Sequence, residues 1–161
     1  RHNARSRSYV YLISKRRTAF GKRYVWWIRD RLDGEAMAEA AQVFQGFHDF
    51  TSFADKRSGK ETSTLVRIDR AELLERDSLI VFRVVASHFL WKMVRRMVGV
   101  IVEAGRGNLS PRDVEEMLDR PSELPARLTA PPSGLFLEQV LYEGDTLRWA
   151  DSFPPVPAAG L

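Results

Sequence analysis

The residues with the most chemistry to offer lie in the run His88-Phe89-Leu90-Trp91-Lys92-Met93-Val94-Arg95-Arg96-Met97-Val98-Gly99. His88, Lys92, Arg95 and Gly99 follow one another at steps of four, three and four, which on a helix aligns them along one face. Two readings stand for that face. It is either the solvated rim of an amphipathic helix, or a rigid platform holding a guanidinium against an anion, since arginine offers a fixed fork of donors matched to carboxylate or phosphate. Tyr9 and Tyr11 form a second candidate, because they share one side of a strand-like run. His48 beside Asp49 has the types of an acid/base pair, but adjacent residues do not face each other in regular structure, and a turn-capping role suits Asp49 better. The chain has no cysteine, and its three histidines, His2, His48 and His88, form no metal-binding spacing. That excludes a disulfide framework, a cysteine nucleophile and a thiolate metal site. Neither GxxxxGK[ST] nor GxGxxG occurs.

The elements that must position these residues are legible as periods and punctuation. Leu90, Val94, Met97, Val98, Ile101 and Val102 recur at helical spacing, which predicts a helix over 88–104 with a broad buried face. Gly99 weakens such a helix, so close backbone packing there is expected. Gly105-Arg106-Gly107 should stop it. Ser8–Ser14 reads as a strand by its β-branched and aromatic content. The cluster Tyr24-Val25-Trp26-Trp27-Ile28 is a short strand or a docked loop, its tryptophans better suited to core or interface anchoring than to base stacking. Asp33 is an N-cap for a helix to about Phe44, with Met37, Ala40, Ala41 and Phe44 as its apolar stripe, and Gly46 ends it. Phe47–Phe53 is expected to be a compact aromatic turn, and residues 55–61 an exposed, mobile loop.

Two further strands, about Ser63–Leu73 and Leu79–Ala86, should pair antiparallel across Glu75-Arg76-Asp77. In the second, Ile80, Phe82, Val84 and Ala86 take one face, and Val81, Arg83, Val85 and Ser87 the other. Ser110-Pro111 opens a short helix to about Leu118. Prolines at 121, 125, 131 and 132 punctuate the path to a last strand, Leu135–Tyr142. From Gly144 an extended tail is expected. The order predicts an α+β fold: a mainly antiparallel sheet with helices packed on one face, and an open face carrying Tyr9 or its neighbours.

At 161 residues a single domain is the default, and 44% hydrophobic content is ample for a packed core. The formal charge of +4 conceals an asymmetry: residues 1–31 hold ten Lys or Arg against one acid, a net +9, and the rest hold fifteen against twenty, a net −5. An arm of that density steers polyanions, or serves solubility and strand-edge protection. No targeting segment or membrane span is visible, which leads to the expectation of a soluble cytoplasmic protein. The opening Arg1–Arg7 lacks an initiator methionine, so a fragment or processed chain is expected.

Four stretches in fixed order carry a resemblance: Arg7-Ser8-Tyr9-Val10-Tyr11, Gly46–Phe53, Phe89–Gly99 and Ala130-Pro131-Pro132-Ser133-Gly134-Leu135. Together they resemble the C-terminal part of the tRNA pseudouridine synthase A family, over roughly residues 5 to 143. The resemblance implies a C-terminal synthase-like domain over 1–143 with residues 144–161 as tail. It implies isomerisation of uridine to pseudouridine in the anticodon arm of tRNA, without an organic cofactor or catalytic metal. It also implies a two-domain extended sheet with an RNA-binding cleft and a homodimer. The family's nucleophilic aspartate lies in an upstream Arg-Thr-Asp-x-Gly-Val-His-Ala motif that this sequence does not contain, so an upstream aspartate-bearing domain is an expected partner.

By the resemblance, the active-site tyrosine falls on Tyr9, the arginine that pairs with the aspartate on Arg95, and a pocket-lining residue on Leu135. An aromatic face can hold an extruded base, a phenol can take part in proton transfer, and a guanidinium keeps a nearby carboxylate ionised. Lys92, Arg96, Arg5 and Arg7 are candidate phosphate contacts, with Arg16, Arg17, Lys22 and Arg23 behind them. Two other classes compete: a stand-alone non-catalytic RNA-binding module, and a structural oligomerisation domain with an aromatic interface.

Overall fold

The computed structural model describes residues 4–17 and 21–148. The chain forms strands β1 (Ala4–Ser14) and β2 (Trp26–Trp27), helix α1 (Gly34–Val43), and strands β3 (Gly46–Asp49), β4 (Leu65–Arg76) and β5 (Leu79–Ala86). Helices α2 (Met93–Gly105), α3 (Pro111–Asp119) and α4 (Leu124–Arg127) and strand β6 (Leu135–Tyr142) complete it. The sheet order is β2-β1-β5-β4-β3, with β6 also paired to β1. Only the short β1–β2 pairing is parallel; the other pairings are antiparallel. This is an α+β fold, as the order of elements predicts.

Side-chain alternation sorts the sheet into two faces. Tyr11 and Ile13 of β1, with Ile80, Phe82, Val84 and Ala86 of β5, pack under α1, α2 and α3 in the main core. Val10, Leu12, Leu79 and Val81 point the other way and form a smaller cluster with Val25. On that second face Arg83 is buried and donates from Nε to both oxygens of Glu138, at 3.1 and 3.3 Å. The Ser8 hydroxyl donates to the same carboxylate at 3.2 Å. Glu138 occupies the register shift in the β1–β6 ladder, where Ser8 faces Gln139 but Tyr9 faces Leu137. A bulge there turns the strand locally.

Several elements follow from local chemistry. The Asp33 carboxylate accepts from the amides of Glu35 and Ala36 at 3.0 and 3.2 Å, and Gly46 takes φ +97° just past the helix. Ser110 and Asp113 cap α3 reciprocally, with Pro111 as its first residue. The β4–β5 hairpin is tighter than the sequence suggests, since both strands extend to an Asp77–Ser78 turn with Asp77 at φ +53°.

Four expectations need correction. The helix over 88–104 begins only at Met93, because Lys92 sits at φ +62° and breaks the helical path. His88 and Lys92 therefore do not share a helical face with Arg95 and Gly99. Tyr9 is not on the open face: it pairs with Val84 and packs against the main core on the helix side. Phe47–Phe53 is not all turn, because Gly46–Asp49 extends the sheet beside β4 and only Thr51–Phe53 curls into a 3-10 turn. The proline-rich connection holds α4, which the prolines conceal because one of them sits in its first turn. In the 55–61 loop, Lys56–Ser58 forms a 3-10 turn. Most of the expected tail lies outside the described residues. Among the described residues, no helix is long and apolar enough to cross a membrane.

Candidate active site

Helix α2 meets the sheet beside the middle of β1, and a cleft of about 430 Å³ opens between them. Tyr9, Phe89, Trp91, Lys92, Arg95 and Leu135 are among its lining residues. The structure thus brings together four sequence-nominated residues from three separate stretches: Tyr9 from β1, Lys92 and Arg95 from the start of α2, and Leu135 from the start of β6. The Tyr9 and Phe89 rings meet edge to face, with centroids 4.9 Å apart, and both line the cleft.

Arg95 is held by its near end. Its Nε donates to the Ala130 carbonyl at 2.7 Å, and the Ala130 amide returns a bond to the Arg95 carbonyl at 3.0 Å. The next carbonyl, Pro131, accepts the Tyr11 hydroxyl at 2.6 Å. Burial pushes that phenol's pKa up, and the Arg95 charge opposes the shift. Helix and strand therefore grip consecutive peptides of the 130–131 segment. Two glycines let the segment approach. A Cβ on Gly99 would lie 1.7 Å from the Leu128 carbonyl oxygen, and one on Gly134 would lie 2.7 Å from the Leu12 carbonyl oxygen. The close packing expected at Gly99 is thus present. With Nε engaged, the terminal nitrogens of Arg95 have no hydrogen-bond partner among the described residues, so an open fork faces the cleft.

Arg96 points elsewhere. Its Nη1 donates to the Ala54 carbonyl at 2.9 Å, and Nη2 lies 3.5 Å from Asp55. It holds the 52–55 turn and does not line the cleft. Lys92 does line it, with its ammonium 3.2 Å from Asp55. The Asp55 carboxyl is held below the usual carboxylate range, first by the Arg57 amide and then by Lys92. Arg7 lies half-buried on the Tyr9 face of β1, two residues away. Arg5 is exposed beside Asp69, Arg70, Val85 and Leu141, away from the Tyr9 cleft. Arg16, Lys22 and Arg23 are exposed, and Arg17 lies over the Trp27 ring at 5.7 Å.

Asp49 serves its own turn, accepting from the Thr51 amide at 3.0 Å and the Thr51 hydroxyl at 2.6 Å. His48 has a ring nitrogen 2.7 Å from the Gln45 carbonyl. Among the described residues, no group of three His, Asp or Glu side chains is arranged to hold a metal ion. Sequence reasoning overlooked Phe89 and Trp91 as parts of the cleft, although both stand in the same motif as Arg95, so proximity was the available signal. Tyr11, nominated with Tyr9, supports the site from behind through its bond to the Pro131 carbonyl.

The cleft pairs aromatic and apolar walls with a guanidinium, and among the described residues no carboxylate lines it. Aromatic walls beside a guanidinium have the chemistry to take a planar, polar group next to an anion. A family model described as tRNA pseudouridine synthase matches residues 40–143, and the chain belongs to that family. It is 40% identical over 144 residues to the tRNA pseudouridine synthase A of Exiguobacterium sp. strain AT1b, covering 89% of this chain and 58% of that protein. It is 40% identical over 144 residues to the protein of that name from Pseudothermotoga lettingae, covering 87% and 58%. The like-named Thermosipho africanus protein is 41% identical over 145 residues, covering 88% and 58%. The chain thus spans 58% of the length of these relatives.

Proposed function

We propose that this chain is the RNA-binding and active-site-completing part of a cytoplasmic, homodimeric enzyme that isomerises uridine to pseudouridine in the anticodon arm of tRNA. The observation that carries this reading is the cleft itself, where Tyr9, Arg95 and Leu135 converge without a carboxylate. In the reaction the bond from uracil N1 to ribose C1′ breaks, a bond from C5 to C1′ forms, the C5 proton leaves to solvent and N1 takes up a proton in its place. Atoms and charge balance without an external oxidant or reductant. A nucleophilic aspartate from an upstream segment enters beside Arg95, whose open fork keeps it ionised and aimed.

Tyr9 stacks on the extruded uracil, and its hydroxyl is available for the proton that moves from C5. Leu135 bounds the apolar wall. Lys92, Arg7 and the basic 1–31 arm contact phosphates, so affinity falls with added salt.

The test is tritium release from tRNA labelled at uridine C5, comparing this 161-residue chain with the complete gene product. Release by the complete product alone is the expected result. Release by this chain alone would overturn the division of labour and move the nucleophile among its own aspartates. Silence from both folded proteins, with tRNA still bound, would favour an RNA-binding module.

A further inference from the structure

Trp91 carries an exposed indole on a peptide that the fold holds firmly. It is 53% exposed and stands at the cleft that also contains Tyr9 and Arg95. Its peptide is pinned on both sides: the Trp91 amide donates to the Ser58 hydroxyl at 2.8 Å, and its carbonyl accepts from the Asp55 amide at 3.0 Å. The next residue, Lys92, adopts φ +62°, a left-handed conformation that costs free energy for any residue with a Cβ. Strain of that kind persists only where the surroundings over-determine it. Here they do. The Lys92 ammonium and the Arg96 guanidinium both reach Asp55, at 3.2 and 3.5 Å, and Arg96 also holds the Ala54 carbonyl. The 52–58 segment and the 91–92 corner are thereby one clamped unit, with the indole exposed at its corner beside the cleft.

We infer that Trp91 is a stacking platform for an unpaired nucleobase, next to the one held by Tyr9. The inference rests on the proposed RNA-binding function and adds a second base subsite to it. An exposed indole lining the same cleft as Lys92 and Arg95 suits a ligand that joins a flat aromatic surface to a negative charge, which describes a nucleotide in single-stranded form. Tyr9 already has Phe89 as a ring neighbour, with centroids 4.9 Å apart, so a second base needs a second aromatic surface. Stacking tolerates any base, so the subsite grips loop RNA without reading its sequence.

The experiment uses the complete gene product and measures binding to an anticodon stem-loop, to a continuous duplex of equal length, and to stem-loops carrying one abasic site at each loop position in turn. Trp91→Ala is expected to weaken stem-loop binding about 5- to 100-fold with duplex binding unchanged, and Trp91→Phe to restore most of it. One abasic position should abolish the difference between wild type and Trp91→Ala. Equal loss on duplex and stem-loop, or a loss indifferent to every abasic position, would overturn the subsite. So would a changed oligomeric state or thermal midpoint in Trp91→Ala with RNA binding intact, since the indole would then be covered by protein. Absence of tritium release from the wild type, with the abasic coupling present, would reject the isomerase reading and leave this platform standing.

Discussion

Two arginines on opposite sides of the sheet, Arg83 on β5 and Arg95 on α2, are held in opposite ways. Arg83 on β5 is 3% exposed and spends its donors on Glu138, itself 14% exposed, with Ser8 completing the carboxylate's bonding. Arg95 on α2 spends only Nε, on a backbone carbonyl, and keeps its terminal nitrogens toward the cleft. A buried guanidinium met by a carboxylate of its own chain has no charge left for a ligand. One anchored by its stem and left open at its fork is preorganised for an anion that the chain does not supply. The same residue type is a fastener on one face and a receptor on the other.

Breaking the fastener should have the largest effect on stability. Glu138→Leu leaves Arg83 buried without its partner and is expected to cost about 3–5 kcal/mol in chemical denaturation, with much of that recovered in the Arg83→Met/Glu138→Leu double variant. If the single variant were as stable as the wild type, Arg83 would be no more committed than Arg95, and the contrast would fail. Removing the receptor should do the reverse. Arg95→Ala is expected to lower the single-turnover rate of the complete gene product on the order of 10²- to 10³-fold. Its stability should change by only about 1 kcal/mol, for the lost bond to Ala130. Parallel losses of tRNA affinity and rate would make Arg95 a phosphate contact.

Gly99→Ala tests whether the receptor depends on its mount. The new methyl meets the Leu128 carbonyl, so α2 and the 128–131 segment must separate, at about 1–3 kcal/mol. That shift moves the acceptor that fixes Arg95, so the rate should fall as well, with tRNA affinity largely retained. The smallest effect belongs to the intermediate case, the Asp55 cluster with Lys92 and Arg96. The Asp55 carboxyl titrates below its unfolded value, so its contribution is present above that value and lost as pH falls through the lower folded one. Asp55→Asn should therefore lower the neutral plateau slightly and converge with the wild type below about pH 4, which flattens the acid limb of the stability profile. An unchanged acid limb would make the cluster an exposed pair with no stabilising role.

Much of the fold was legible because its signals are local. Asp33, Ser110 and Pro111 announce helix starts through their own hydrogen-bonding chemistry, and β5 and β6 fall at their expected bounds because alternation needs no distant partner. β3 was hidden in Gly46–Phe53, since four residues carry too little period to separate a strand from a turn. The start of α2 was misjudged for a related reason. Apolar spacing continued back to Leu90, while the left-handed Lys92 is imposed by contacts with Asp55, a residue 37 positions earlier. The candidate site was legible as residue types in ordered motifs, which separated Arg95 from Arg96, but the partners that take Arg96 away from the cleft were not legible. Adjacent on one helix, they turn to different partners.

What the sequence determined by itself was the inventory: an α+β order of elements, an arginine-bearing helix with a glycine at a packing position, a basic first segment, and motifs that place the chain in its family. What only the tertiary structure decided was commitment. Tyr9 faces the helices because β1 is fixed against β5 and β6. Arg95 keeps its fork because Ala130 takes only Nε, and Arg83 loses its fork because the β6 bulge delivers Glu138. Hydrogen-bond partners of this kind lie tens of residues away in the chain, and no local period encodes them.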